Sequence, residues 1–146
     1  MLDKSGVIRK LLEADALARD EVRVLKSLVS PSSYDYASHV RSYVVHKFLL
    51  DTEDYRSAGD GLMDLARQSV TVSARLSRAN RELLDVSKHC GATSSAMTKK
   101  VMLLLAVQRD FEVDLSGEDT ADIETTRQLA DIIRSQWERG EGHGAA

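Results

Sequence analysis

The chain has 146 residues, of which 42% are hydrophobic and 29% are charged, so it has the size of one globular domain and enough apolar side chains for a core. A single proline and only 5% aromatic residues argue against an all-β fold and predict an all-α protein. The net charge of −3 is unevenly distributed: residues 108–146 contain ten acidic residues and four arginines, and this acidic end argues against nucleic acid as the main partner.

Cysteine content and hydropathy indicate the cellular compartment in which the protein is expected. Cys90 is the single cysteine, so it cannot form an intramolecular disulfide, and the chain does not open with a signal-peptide pattern. The longest uncharged apolar run, 101–107, is too short to span a bilayer. We therefore expect a cytoplasmic protein without a membrane partner.

Two helices are predicted in the first fifty residues. Apolar residues at steps of three and four indicate a first helix over Lys4 to Val29, ended by Ser30 and Pro31, with an apolar stripe of Val7, Leu11, Ala14, Ala18, Val22, Leu25 and Val29. A second helix begins near Tyr34 or Asp35 and fades in the polar stretch 51–61. Its predicted inner face comprises Tyr36, Val40, Tyr43, Val44, Lys47, Phe48 and Leu50.

The most regular pattern covers residues 62–86 and predicts one long helix. Its apolar stripe comprises Leu62, Leu65, Ser69, Val72, Leu76, Ala79, Leu83 and Val86. Such a stripe is either a coiled-coil seam between two chains or the core face of an intramolecular bundle, and a chain with several helices favours the bundle. A basic last turn and Gly91 end this helix near Lys88.

Three more helices are predicted after residue 92. A hydroxyl from Thr93, Ser94 or Ser95 caps a helix whose buried face contains Met97, Val101, Leu104, Leu105 and Phe111, widened by Leu103 and Val107. Ser116 with Asp119 caps a short helix that reaches Ile123. A capping box of Thr125 and Gln128 opens the last helix, which buries Leu129, Ile132, Ile133 and Trp137.

A longer pattern covers residues 91–133. It begins with the turn Gly91-Ala-Thr-Ser-Ser95 and an amphipathic helix that ends in Gln108-Arg-Asp-Phe111. The pattern continues with Glu-Val-Asp-Leu-Ser116, Glu118-Asp119, Ala121-Asp-Ile123, Thr125-Thr126 and Gln128-Leu-Ala-Asp-Ile-Ile133. This order resembles the second half of an acyl or peptidyl carrier protein.

The resemblance implies a role for the serine turn. In such proteins a phosphopantetheinyl transferase attaches 4′-phosphopantetheine to a serine at the start of the helix, and the matching residue here is Ser94. A helix N-terminus favours the phosphodiester, because its free N–H groups and dipole are positive. Enzymes that load and unload the thioester dock on the following helix. That helix opens with Lys99 and Lys100, so we expect partners with an acidic patch.

The predicted function is therefore an atypical carrier that holds an acyl, aminoacyl or peptidyl group as a thioester during biosynthesis, and not an enzyme. The alternative is a carrier-like helical interaction module without a prosthetic group. Residues 1–57 are expected to form a helical extension packed on the core, 58–137 the carrier-like module and 138–146 a disordered tail. Whether the protein is a monomer or a homodimer is left open.

Several residues have alternative interpretations. The main alternative to attachment at Ser94 is an ordinary helix cap without chemistry, and Ser95 is a second candidate for attachment. Cys90 beside His89 is better explained as a packed cysteine than as a nucleophile. His39 and His46 are expected at the surface or an interface, because too few further ligands accompany them for a metal site. The acidic run between residues 110 and 124 either binds a basic partner or forms a solvated rim, which is the commoner case.

Overall fold

The computed structural model describes residues 4–51, 59–79 and 95–144, and within them the chain forms six α-helices and no strand. The prediction of an all-α protein is confirmed. The helices are α1 (Lys4–Ser27), α2 (Ser33–Lys47), α3 (Leu62–Ala79), α4 (Ala96–Phe111), α5 (Gly117–Asp122) and α6 (Thr126–Gly144). The predicted extension of the third helix to Val86 and its end near Lys88 lie outside the described residues, as do positions 52–58 of the polar stretch. Among the described residues, no helix combines the length and the apolarity needed to cross a membrane.

The turn between α1 and α2 is made by local side-chain chemistry. Ser30 adopts a left-handed φ of 51°, and Pro31 follows it, so α1 ends two residues earlier than predicted. Ser32 then caps α2: its Oγ accepts from the N–H of Asp35 at 3.1 Å, and its own N–H donates to the Asp35 carboxylate at 2.7 Å. This capping box fixes the start of α2 at Ser33.

The predicted inner face of α2 is confirmed, since its apolar members are all buried: Tyr36, Val40, Tyr43, Val44, Phe48 and Leu50. This helix packs against α1 on one side and against α6 on the other. It therefore joins the N-terminal helices to the C-terminal half of the chain in one hydrophobic core.

The pair formed by α3 and α4 is tied to the same core. Backbone hydrogen bonds join the start of α3 to the start of α6, from Leu62 N–H to Glu124 O at 2.8 Å and from Thr126 N–H to Asp60 O at 3.1 Å. The Asp60 carboxylate also accepts hydrogen bonds from the Thr126 hydroxyl and from Arg41. These contacts hold α3 in place at the N-terminal end of α6.

The predicted caps of α5 and α6 are confirmed. Asp119 N–H donates to Ser116 Oγ at 3.0 Å, and Ser116 N–H donates back to the Asp119 carboxylate at 3.2 Å. At the start of α6, Gln128 N–H donates to Thr125 Oγ1 at 3.1 Å, and Thr125 N–H donates to Gln128 Oε1 at 3.0 Å. Both helices begin where these reciprocal bonds satisfy their free N–H groups.

The buried face of α4 differs from the prediction. Leu104 and Phe111 are buried as expected, but Met97, Val101 and Leu105 are exposed. Leu103 and Val107, which were predicted to widen this face, are buried as expected. The apolar surface of α4 is wider than the area that α3 and the core cover, and the sequence does not mark which half is covered.

The buried stripe of α1 and the end of α6 also differ from the prediction. Leu11 and Val29 were expected in the buried stripe of the first helix and are exposed. The last helix continues to Gly144, whereas a disordered tail was expected from residue 138. An ion pair between Arg134 and Glu138, with an N–O distance of 2.7 Å, spans one turn at the point where the tail was expected to begin.

Candidate functional site

The start of α4 is where the sequence analysis places the attachment serine. Ser95 is the N-cap of α4: its Oγ accepts from Thr98 N–H at 3.0 Å and donates to Thr98 Oγ1 at 2.6 Å. Ser95 and Met97 are exposed, so the first turn of the helix is open to solvent. Ser94 lies outside the described residues, as do Cys90 and His89.

This end of α4 suits a phosphodiester in two respects. The positive end of the helix dipole and the free N–H groups of a first turn attract a phosphate. The exposure of Ser95 and Met97 leaves room for a group attached beside them. The cap hydroxyl of Ser95 is itself engaged by Thr98.

Neither of the two lysines predicted to dock partners is fully exposed. Lys99 is half-buried, and its Nζ donates to Ser73 Oγ on α3 at 2.7 Å. Burial lowers the pKa of Lys99, because desolvation disfavours the ammonium form. Lys100 is only 5% exposed, so a partner protein reaches little of its side chain. Ser69 Oγ, one turn before Ser73, is buried with no hydrogen-bond partner among the described residues.

The solvent side of α4 is apolar instead of charged. We define the α4 row as four apolar side chains on the solvent side of α4: Met97, Val101, Met102 and Leu105. They follow one another at steps of four, one and three residues, and each is between 38% and 61% exposed. Single exposed apolar residues are ordinary on a protein surface, but contiguous ones mark interaction sites. Methionine suits a surface that must fit several partners, because its side chain is flexible and polarisable.

A partly buried polar cluster joins α1, α2 and α4, and we call it the Asp110 network. Tyr43 Oη donates to Asp110 Oδ2 at 2.7 Å, and Arg109 Nε donates to Asp110 Oδ1 at 2.9 Å. Lys47 Nζ lies 3.9 Å from Asp110 Oδ2 and donates to Asp15 Oδ1 at 2.5 Å. The sequence analysis missed this cluster, since Tyr43 and Asp110 are 67 positions apart and no local pattern connects them.

Hydrogen bonds within the Asp110 network stabilise the charged forms of its two carboxylates, Asp110 and Asp15. Burial would raise the pKa of Asp110, but the hydrogen bonds from Arg109 and Tyr43 outweigh it and hold this pKa below its usual value. The hydrogen bond from Lys47 likewise lowers the pKa of Asp15. Burial and the neighbouring Asp110 carboxylate raise the pKa of Tyr43, so its phenol stays protonated and remains a donor. Because every member has a partner, the arrangement favours a structural role over acid–base chemistry.

His39 and His46 are partly buried at the contact between α1 and α2. His39 Nδ1 is 2.7 Å from Glu21 Oε2, and His46 Nε2 is 3.9 Å from the other oxygen of the same carboxylate. Both pairs connect α2 to α1. Within residues 4–51, 59–79 and 95–144, no group of three His, Cys, Asp or Glu side chains is placed to hold a metal ion.

The acidic run from residue 110 to 124 has no single role. Asp110 belongs to the Asp110 network and Asp119 caps α5, while Glu112, Asp114 and Glu124 are exposed.

An open cleft lies between the end of α1, the start of α2 and α6. Its volume is about 630 Å³, and Trp137 and Lys26 line it, with the Lys26 ammonium 5.9 Å from the centre of the indole ring. The indole N–H donates to Phe111 O at 2.8 Å. Tyr36 and Phe111 form the floor but are almost wholly buried, so they offer a ligand little surface.

Comparisons with known proteins find no matching family model, no similar curated protein and no similar solved structure.

Proposed function

We propose that the chain is an atypical carrier protein, in which Ser94 receives 4′-phosphopantetheine and the thiol of that group holds an acyl, aminoacyl or peptidyl thioester. The observation that supports this best is the α4 row, which begins three residues after Ser94 and follows the helix away from it. The resemblance of residues 91–133 to carrier proteins implies the phosphopantetheine attachment, and the α4 row offers a surface for partner enzymes.

A carrier needs an accessible hydroxyl beside a surface that several enzymes can hold in turn. The exposure of Ser95 and Met97 in the first turn of α4 supports the first requirement. The α4 row meets the second, because exposed apolar side chains bury area on contact with each enzyme without a fixed geometry of hydrogen bonds. The prosthetic group, when attached, supplies the thiol chemistry, and the protein supplies position and docking.

The first prediction concerns Ser94. Incubation with a broad-specificity phosphopantetheinyl transferase and coenzyme A is expected to add one phosphopantetheine to the wild-type chain, measured by intact mass. Ser94→Ala should abolish the gain and leave helical content unchanged, because Ser95 and not Ser94 caps α4.

Ser95→Ala is the matched control. It should accept the group while it loses about 1 kcal/mol of stability through the missing cap. If Ser94→Ala is still loaded and Ser95→Ala is not, the attachment point is Ser95.

The second prediction concerns the α4 row. The double variant Met102→Glu and Leu105→Glu is expected to slow loading by the transferase about tenfold at limiting enzyme, because two exposed contacts become charged. Both side chains are more than half exposed, so the fold should tolerate the change. Leu17→Glu, on α1, is the control and should load at the wild-type rate. Equal rates for the double variant and the wild type would mean that the transferase does not use this row.

A second candidate function is a helical interaction module without a prosthetic group. It is favoured by the same row, since the exposed apolar surface exists whether or not Ser94 is modified. The mass measurement separates the two: no gain for the wild-type chain, under conditions that load a known carrier, supports the interaction module.

A further inference from the structure

A second apolar surface lies on α1, on a side that α2 does not cover. A groove of about 500 Å³ runs along this surface. We call it the α1 groove, and it is lined by Ile8, Arg9, Leu12, Glu13 and Ala16. Leu12 is 66% exposed, more than any residue of the α4 row. The opposite side of α1 is used for the core, through Ala18, Val22 and Leu25.

The charges of the α1 groove are complementary to each other. Arg9 and Glu13 are one turn apart on the same flank of the groove, and neither forms an ion pair with another described residue. When two helices pack antiparallel around a two-fold axis, like flanks face each other. In a register centred near residues 11 and 12, Arg9 of each copy then lies opposite Glu13 of the other. In a parallel pair each flank would instead face the opposite flank of the other copy, so Arg9 and Glu13 would not meet across the contact.

We propose that the α1 groove binds the α1 groove of a second copy of this chain, which makes an antiparallel, two-fold symmetric dimer. Ile8, Leu12 and Ala16 form its apolar centre, and two equivalent Arg9–Glu13 pairs border it. A contact of one helix pair is small, so the dimer is weak and reversible, with a dissociation constant in the micromolar range, on the order of 10 to 100 μM. This inference does not depend on the proposed carrier function.

Sedimentation velocity over about 1 μM to 1 mM chain tests the proposal. The mass should rise from the 16.2 kDa of one chain toward twice that value. Leu12→Glu should give a monomer throughout, because it places two carboxylates near the symmetry axis. Leu17→Glu, a half-exposed position outside the groove, should dimerise as the wild type does.

A charge exchange tests the predicted pairing without touching the apolar centre. Arg9→Glu alone should raise the dissociation constant about tenfold, since two ion pairs become like-charge contacts. The double variant Arg9→Glu with Glu13→Arg restores opposite charges and should return the constant to within about threefold of the wild type. A wild-type chain that stays monomeric up to 1 mM overturns the proposal. So does a dimer that survives Leu12→Glu, or a double variant as weak as Arg9→Glu.

Discussion

A chain that begins at Ala58 is expected to lose the cooperative unfolding transition of the full protein. The segment removed contains Val40, Tyr43, Val44 and Phe48, which are buried in the shared core. Each such side chain contributes about 1.5 to 3 kcal/mol when buried. Their sum exceeds about 6 kcal/mol, which is comparable with the total stability of a typical domain. The truncation also exposes Asp110, which loses Tyr43 and Lys47.

Thermal melts followed by circular dichroism and by the fluorescence of Trp137 measure this outcome, since Trp137 is the single tryptophan and packs edge-on against Tyr36 in the segment removed. A chain that begins at Lys4 is the control and should melt as the full protein does, because α1 starts there. If the chain from Ala58 stays monomeric with an unchanged melt, residues 1–57 are an appended module and the remaining helices close their own core.

Helix positions and caps were predictable because they depend on residues a few places apart. The apolar members of the α2 face are all buried, and the Ser116–Asp119 and Thr125–Gln128 boxes form as the sequence indicates. These features follow from side-chain spacing and from hydroxyls that reach the next turn.

The face that each helix buries was harder to predict where apolar residues surround most of the helix. On α4, Met97 and Leu104 belong to one apolar pattern, yet only Leu104 meets the core. Periodicity shows that a helix is amphipathic, and it does not show how much of a wide stripe its neighbours cover. The uncovered half became the surface on which the proposed function depends.

Contacts between distant residues had no signal in the sequence. Lys99 was expected to face partners because the resemblance makes this helix the docking surface, but its ammonium hydrogen-bonds Ser73 across the contact between α3 and α4. The Asp110 network likewise assembles residues from three helices. Docking by Lys99 and Lys100 stays a prediction, and the exposed row beside them offers a partner more surface.

Asp110→Asn is expected to destabilise the protein by about 1 to 3 kcal/mol at pH 7, measured by urea unfolding. The Asp110 side chain is 9% exposed and accepts hydrogen bonds from Tyr43 and Arg109. The amide keeps the shape but removes the negative charge that these donors and Lys47 face. The loss arises because the buried Tyr43 hydroxyl keeps only a weaker acceptor and the Arg109 and Lys47 cations lose a carboxylate partner. Asp131→Asn, at an exposed position, is the control and should change stability by less than about 0.5 kcal/mol.

The pH dependence of this difference tests the electrostatic cause. The pKa of Asp110 is lowered in the folded protein, so the unfolded chain binds a proton more readily than the folded one below the ordinary Asp value of 3.8. The stabilisation by its charge is therefore complete above about pH 5 and falls as the pH drops through the folded pKa. The gap between wild type and Asp110→Asn should stay constant from pH 7 to pH 5 and shrink at pH 3. A gap of the same size at pH 3 would show that the loss comes from packing and not from charge.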